Sequence, residues 1–350
     1  MGVKINDLVS DVKRTITFEN LFNKSIAIDA FNTIYQFLAI IRQRDGTPLK
    51  DTQGNVTSHL SGLFYRTINF LEQNIKPIYV FDGKPSELKS DTIQERKKVK
   101  EEAKKKMIEA QEKEDYEKAR SYASMTSHLT SDMIEESKKL IDYFGIPIIQ
   151  APSEGEAQAA YMVRKGDAWA SASQDYDTLL FGSKRLIRNF AVSRSKKVRD
   201  TTVQLDIEYI SLPKFLDNFE ITREQLIDMA IMIGTDFHPG IKGIGQHTAI
   251  DLIKEHKSIE NIINSNIRAG KKEIDIDLET ATQIKDIFLN PYVEKNYPII
   301  VWKKINYSKI EELLVEAHDF SENRVQNALE RLKKIDRSKM QTSLDSFLAK

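Results

Sequence analysis

The chain contains no cysteine among its 350 residues, which excludes disulfides, thiolate zinc sites and a cysteine nucleophile. No apolar run approaches the roughly 20 residues that span a bilayer. The opening Met-Gly-Val-Lys-Ile-Asn lacks the apolar core of a signal peptide. These absences set the expectation of a cytoplasmic protein with no membrane partner. Excess charge of one sign is missing too, since 52 basic residues balance 52 acidic ones. A zero sum argues at first against a polyanionic partner, yet the distribution is uneven: Arg96, Lys97, Lys98, Lys100, Lys104, Lys105 and Lys106 face only Glu101 and Glu102. Charged residues make up 30% of the chain, above the usual quarter, and with lysine and glutamate prominent the composition leans toward a heat-adapted source.

What is present begins with a strand and helix rhythm. Apolar runs at Ser25 to Ile28, Pro77 to Phe81 and Ala168 to Ser173 read as buried strands, and helical patterns fill 31–41 and 58–74. This is the βαβ order of an α/β protein, with a mostly parallel twisted central sheet and helices on both faces. From Lys84 to about Ser127 the pattern becomes helical, charge-rich and too polar for a core, so an insertion that projects into solvent is expected. The α/β pattern resumes with a helix over 131–144, a strand over 147–150 and a helix over 153–165. Short strands follow near 186–190 and 202–205, and helices dominate from 212 to 336.

Seven acids, Asp29, Asp82, Glu154, Glu156, Asp175, Asp177 and Asp236, stand at turns just beyond apolar runs. A carboxylate directly after a strand lies at its carboxyl end, where open α/β sheets collect ligands. Two carboxylates about 4 Å apart repel by roughly 4 kcal/mol at an effective dielectric near 20. A cluster must therefore take up protons or hold cations, and hard oxygen ligands favour magnesium or manganese. Some of these acids also have a plain structural reading. Asp29 and Asp82 can cap turns, and Ser153 to Glu156 is an S-x-x-E capping box, which alone would account for Glu156 but not Glu154. The spacing of Asp175 and Asp177 would place both on one face of an extended chain.

Other segments point toward nucleic acid. Gly240 to Ala249, Gly-Ile-Lys-Gly-Ile-Gly-Gln-His-Thr-Ala, reads as a glycine hairpin opening a helix, the helix-hairpin-helix type whose amides hold DNA backbones without reading sequence. The basic stripe from Arg96 to Lys106 follows Asp82 closely, although most such stripes are solvated helix faces. Tyr35, a helical turn or so beyond Asp29, is either core or a stacking platform for a base. At the end, Gln341, Leu344, Phe347 and Leu348 are spaced so that one helical turn makes an apolar plug.

Together these segments resemble the flap endonucleases, the structure-specific 5′ nucleases of replication and repair, and the likeness runs essentially end to end. It is carried by Ile-Ala-Ile-Asp-Ala with Ile-Tyr-Gln-Phe-Leu, Thr-Ser-His-Leu with Phe-Tyr-Arg-Thr, Val-Phe-Asp-Gly-Lys-Pro, Ala-Pro-Ser-Glu-Gly-Glu-Ala and Gly-Ile-Gly. The resemblance implies a 5′ nuclease (PIN-like) fold and 5′ flap endonuclease with 5′–3′ exonuclease activity, as in Okazaki fragment maturation. The seven acids would hold two Mg2+, with Mn2+ able to substitute, and Asp29, Asp82, Glu154 and Asp177 would be central to catalysis. Lys89 and Arg96 would contact the scissile phosphate. Tyr35 would stack on the adjoining nucleotide, with Arg42 also on DNA, and Thr57 and Arg66 would line a pocket for a one-nucleotide 3′ flap. Gly243 and Gly245 would contact duplex backbone. Gln246, His247 and Thr248 stand where relatives often carry basic residues, so a bound K+ or Na+ would help there. The tail would bind a sliding clamp (PCNA), and the shortness of the chain beyond it points to an archaeal type, nucleoid-associated and monomeric.

The organisation implied is a single nuclease domain over 1–335, followed by a flexible clamp-binding tail over 336–350. Within the domain, 1–83 is the N-terminal region, 84–130 a helical arch, 131–256 the internal region with the helix-hairpin-helix at 226–256, and 257–335 a C-terminal helical region. A non-catalytic DNA-junction binder is the rival reading, but such a binder gains nothing from seven negative charges near phosphate. A second rival, a repair-bubble nuclease or exonuclease of the same superfamily, would carry a longer insertion or C-terminal region.

Overall fold

Short apolar runs of β-branched residues and alanine pair into one sheet because each can bury both faces. In this computed structural model, residues 2–84, 89–113, 115–191, 195–198, 201–204, 206–265 and 276–348 are described, with 90–96, 195–198, 201–204 and 336–348 through the backbone alone. The strands are β1 (Arg14–Ile16), β2 (Ser25–Asp29), β3 (Lys76–Phe81), β4 (Ile148–Gln150), β5 (Ala170–Ala172), β6 (Arg185–Arg188), β7 (Ser195–Val198), β8 (Thr201–Gln204) and β9 (Ile207–Ser211). Seven of them form a sheet in the order β1-β9-β6-β5-β2-β3-β4, while β7 and β8 make a separate hairpin. Pairing is parallel from β6 through β5, β2 and β3 to β4, and antiparallel at β9 and β1. The mostly parallel sheet expected from the sequence is therefore present.

Alternate side chains serve two layers. Ile26, Ile28, Tyr79 and Phe81 face helices Ala30–Ile40, Ser58–Glu72 and Ser131–Tyr143, packing with Ile34, Phe37, Phe64 and Leu140. Ala27, Ile78 and Val80 face helix Gly155–Lys165 through Ala159, Met162 and Val163. That helix turns Ala157 and Ala160 toward a third cluster, built largely from helices Leu212–Phe219, Arg223–Ile233, Gln246–His256 and Leu278–Leu289.

The polar insertion is a pair of helices, Ser90–Glu112 and Tyr116–Ser124. It is less detached than its composition suggests. Ala103, Ala110, Ala119 and Ala123 are buried, and Gln111 Nε2 donates to Asp45 O at 3.1 Å, which ties the pair to the loop after helix Ala30–Ile40. Small alanines allow close helix approach while Lys97, Lys98 and Lys104 to Lys106 stay exposed. No described helix is long and apolar enough to cross a membrane.

Candidate metal centre

The sheet order reverses between β2 and β5: chain leaving β2 goes to β3 on one side, while chain leaving β5 goes to β6 on the other. Such a switch point leaves a crevice at the strands' carboxyl ends. Asp29 ends β2 there, buried, and its carboxylate accepts the Asn32 amide at 2.9 Å as helix N-cap. Asp82 follows β3 and accepts the Gly155 amide at 2.7 Å. The turn after β5 supplies Asp175 and Asp177, and Arg188 on β6 braces it by donating to Gln174 O at 2.9 Å.

Two local expectations are corrected. Helix Gly155–Lys165 has Glu154, not Ser153, as its N-cap and makes no side-chain capping hydrogen bond there. Glu156 instead accepts the hydroxyls of Ser173 (2.5 Å) and Thr178 (3.2 Å), so it is turned into the crevice rather than back along its own helix. Asp175 and Asp177 are not on extended chain. Tyr176 between them is helical in backbone and Asp177 opens the short helix Asp177–Leu180, so a turn brings the pair together.

Asp236 arrives from the far side, in a tight turn after helix Arg223–Ile233 in which Thr235 N donates to His238 O at 2.8 Å. Gly240 closes that turn at φ +84°, where a Cβ would lie 2.4 Å from Ile233 O. Lys89, at the base of the insertion, reaches in beneath it. Its ammonium is 2.5 Å from Glu154, 3.6 Å from Asp236 and 5.0 Å from the Phe237 ring centroid. Asp228 lies apart from the crevice, paired with Lys285 at 2.9 Å.

The electrostatics record crowding. Burial lifts the Asp29 carboxyl well above its ordinary range, with Asp82, Asp175 and Glu154 adding repulsion. Desolvation and the Glu154 charge push Asp82 to about 6. Glu156 rises well above its usual value through desolvation and the charges of Asp175, Asp177 and Asp29. Burial pushes Asp177 to about 7, against the Val3 amide that stabilises its charge. Desolvation alone would lower the Lys89 ammonium, but Glu154, then Asp236 and Glu156, outweigh it and hold it above its ordinary value. Acids with raised folded values keep protons on folding that the unfolded chain has released. Stability of the metal-free protein should therefore fall as pH rises from about 4 to about 7. Thermal unfolding in chelator across that interval checks this, and a midpoint that climbs throughout would contradict it.

Among the described residues, no three carboxylates or imidazoles close on one point as they stand. The donor set nonetheless fits hard divalent ions. It is all oxygen, it carries more negative charge than one lysine offsets, and that lysine already sits between Glu154 and Asp236 as a stand-in cation.

Several residues around the acids carry no signal in the chemistry-bearing motifs. Val3 N donates to Asp177 Oδ1 at 2.7 Å and Gly2 N to Asp175 Oδ1 at 3.3 Å. A Cβ on Gly2 would stand 2.8 Å from Asp177 Oδ1, so the N-terminal segment lies against the acids with no room for a side chain. Asn32 Nδ2 donates to Asp175 at 3.1 Å and is itself held by Gln36. Their i, i+4 spacing on the helix that Asp29 caps was the one available clue.

The remaining predicted residues lie around this centre. Tyr35 is half-exposed under Lys100, whose ammonium is 5.2 Å from the ring centroid. Arg42 donates to Leu38 O, Gly46 O and Ser127 Oγ at 2.8–2.9 Å. Thr57 is buried at the start of helix Ser58–Glu72, which also carries half-buried Arg66. The loop before Thr57 is fastened by His318 Nδ1 to Asp51 at 3.0 Å and by Thr52 N to Asp319 at 2.9 Å. Gly243 has φ +86°, and Gly245 is the N-cap of helix Gln246–His256. A Cβ on Gly245 would meet nothing within 4 Å, so no internal contact demands a glycine there. Gln246 Oε1 accepts the Asp7 amide at 3.2 Å. The side chains of Arg96, Gln341, Leu344, Phe347 and Leu348 lie outside the described residues, although Arg96 falls in helix Ser90–Glu112 and the others in helix Glu322–Leu348.

Comparison with known proteins adds to this geometry. Residues 1–103 match the family described as XPG N-terminal domain, and residues 145–236 match the XPG I-region. The chain is 53% identical over 339 residues to flap endonuclease 1 of Staphylothermus marinus, covering 95% of each. It is 50% identical to flap endonuclease 1 of Ignicoccus hospitalis over 100% of both chains. Among solved structures, flap endonuclease-1 from Methanococcus jannaschii is similar with a TM-score of 0.74 at 40% identity, over 97% of this chain and 100% of that one. With half of its residues shared with these relatives along the full length, the chain belongs to the flap endonuclease family.

Proposed function

We propose that this enzyme hydrolyses a phosphodiester at the base of 5′ flaps in branched DNA, in replication and repair, and trims 5′ ends as an exonuclease. The observation that carries this reading is the gathering of seven carboxylates and Lys89 at the carboxyl ends of β2, β3 and β5 in a chain of this family. Two Mg2+, or Mn2+ in their place, are the cofactors proposed. Asp29 is crowded by Asp82, Asp175 and Glu154, Glu156 by Asp175, Asp177 and Asp29, and Asp177 by Asp236 and Asp175, so the acids form one connected group. We assign Asp29, Asp82, Glu154 and Glu156 to one ion and Asp175, Asp177 and Asp236 to the other. When bound, the ions supply positive charge that acidifies an attacking water and steadies the departing 3′ oxygen.

The chain's own groups do the rest. Lys89 and Arg96 offset charge on the phosphate oxygens. Tyr35 stacks on the nucleotide beside the cut, and Arg42 holds its loop where DNA passes. Thr57 and Arg66 receive a one-nucleotide 3′ flap, while the open approach at Gly243 and Gly245 admits duplex backbone, with K+ or Na+ assisting. Specificity then comes from branch shape and bending, with no base code. In this scheme residues 1–335 act as one nuclease domain with 84–130 as its arch. Gln341, Leu344, Phe347 and Leu348 in the tail dock on a sliding clamp, and the enzyme works as a monomer in the cytoplasm beside the nucleoid.

A 5′-labelled double-flap DNA tests the scheme. With Mg2+ the label should leave as one oligonucleotide ending at the flap base, and without Mg2+ the strand should stay whole. Label released as mononucleotides irrespective of the flap, or an intact strand in both conditions, would overturn it.

A further inference from the structure

Lys89 makes three contacts that a residue waiting for substrate does not need. Its ammonium pairs with Glu154 on the β4 side of the crevice and with Asp236 on the helix Arg223–Ile233 side, and lies over the Phe237 ring. The side chain is only 16% exposed, so the seat is enclosed rather than a chance surface pair. Asp82, Glu156 and Asp177 all feel its charge. It is therefore a monovalent cation inside a cluster of seven carboxylates, bridging the two groups of acids assigned above to different ions. A cation there relieves repulsion that would otherwise drive the acids apart.

We propose that Lys89 is a built-in counter-ion which occupies the crevice until divalent metal arrives, so that metal loading and the seated lysine exclude one another. This rests on the two-metal reading of the preceding section and adds a regulatory step to it. The ammonium takes one oxygen of each acid, Glu154 Oε2 and Asp236 Oδ2, and divalent ions held on the same carboxylates would repel a positive charge seated 2.5 and 3.6 Å from those oxygens. Loading therefore expels the Lys89 side chain. Lys89 is the N-cap residue of helix Ser90–Glu112, so the expelled charge leaves at the root of the arch. The acids thus exchange a weak internal cation for two strong external ones, and the lysine becomes available to a phosphate only after the metals are in place.

The test is metal binding by the DNA-free protein, with no activity readout. Calorimetric titration with Mn2+ should show Lys89→Met binding about ten-fold more tightly than the parent, and Lys89→Arg within about two-fold of it. Metal-free Lys89→Met should also unfold at a lower temperature and gain more from Mn2+. Unchanged or weaker Mn2+ affinity in Lys89→Met, with the parent binding normally, overturns this proposal alone. A parent that binds no Mn2+ overturns the two-metal reading itself. A second measurement needs no variant: amine-reactive labelling of the parent protein, read by mass spectrometry at Lys89, should rise several-fold on adding Mn2+. Labelling that is unaltered or reduced overturns the proposal independently.

Discussion

Asp177→Asn should yield a protein that withstands heat better without metal and yet is nearly inert on flap DNA. The aspartate is buried at 4% exposure, and its folded value near 7 against 3.8 for the free side chain means that at pH 8 the fold carries a charge it resists. Each unit of such a shift is worth about 1.4 kcal/mol. Because neighbouring acids relax together, we expect a net gain of about 1–2 kcal/mol, hence a midpoint higher by roughly 1–2 °C per kcal/mol for a chain of this length. The gain should be full above pH 7 and vanish near pH 3, where the folded and unfolded aspartyl groups are both largely protonated. The carboxamide keeps the acceptor for Val3 N, so local geometry should survive. Cleavage should drop by roughly a thousand-fold or more, because a neutral amide is a poor partner for a divalent ion. Single-turnover cleavage in Mg2+ and thermal scans in chelator at two pH values measure both halves. Near-parental turnover would remove Asp177 from the site, whereas lower metal-free stability at pH 8 would show that its burial carries no strain.

Gly83→Ala should damage the same centre without touching a carboxylate. The chain leaving β3 and the chain leaving β4 run in direct backbone contact: Gly83 N donates to Ser153 O at 2.6 Å, and a Cβ at Gly83 would stand 2.4 Å from both Ala151 O and Pro152 O. Backbone cannot swing aside as a side-chain tip can, so the two segments must separate by an ångström or so. One carries Asp82 and the other Glu154. Overpacking of this kind costs about 1–3 kcal/mol, and a displacement of about 1 Å between catalytic groups lowers turnover roughly a hundred-fold. Thermal unfolding and single-turnover cleavage of the variant report the two effects. Activity within a few-fold of the parent would mean that the Asp82 to Glu154 spacing is not set here.

The legible part of this protein is where short-range rules operate. A run such as Ser-Ile-Ala-Ile-Asp both specifies a buried parallel strand and places its acid at the ligand-bearing end, and Pro-Ile-Tyr-Val-Phe-Asp repeats the device. Glu156 and Asp177 show where such rules misdirect. The S-x-x-E pattern is a capping signal in an isolated helix, but hydroxyls of Ser173 and Thr178, contributed from beyond β5, claim the Glu156 carboxylate. Alternation predicted extended chain for Asp175 and Asp177, whereas Arg188 holds that segment as a turn. The strand Arg14–Ile16 was invisible because it is polar and short, and exists only through pairing with Ile207–Ser211.

The sequence by itself determined the buried parallel strands and the long helices, the hard-oxygen character of the acids and, through its motifs, the family. Those properties reside in residue chemistry and in periods of two or about 3.6 residues. Only the tertiary structure decided that β2 lies between β3 and β5, that the turn after helix Arg223–Ile233 delivers Asp236, and that Lys89 is seated among the acids. It also brought the amides of Gly2 and Val3 more than 170 positions along the chain, to Asp175 and Asp177. Such placements depend on which apolar faces bury one another, a choice made by the whole core at once, and no local window of sequence contains it.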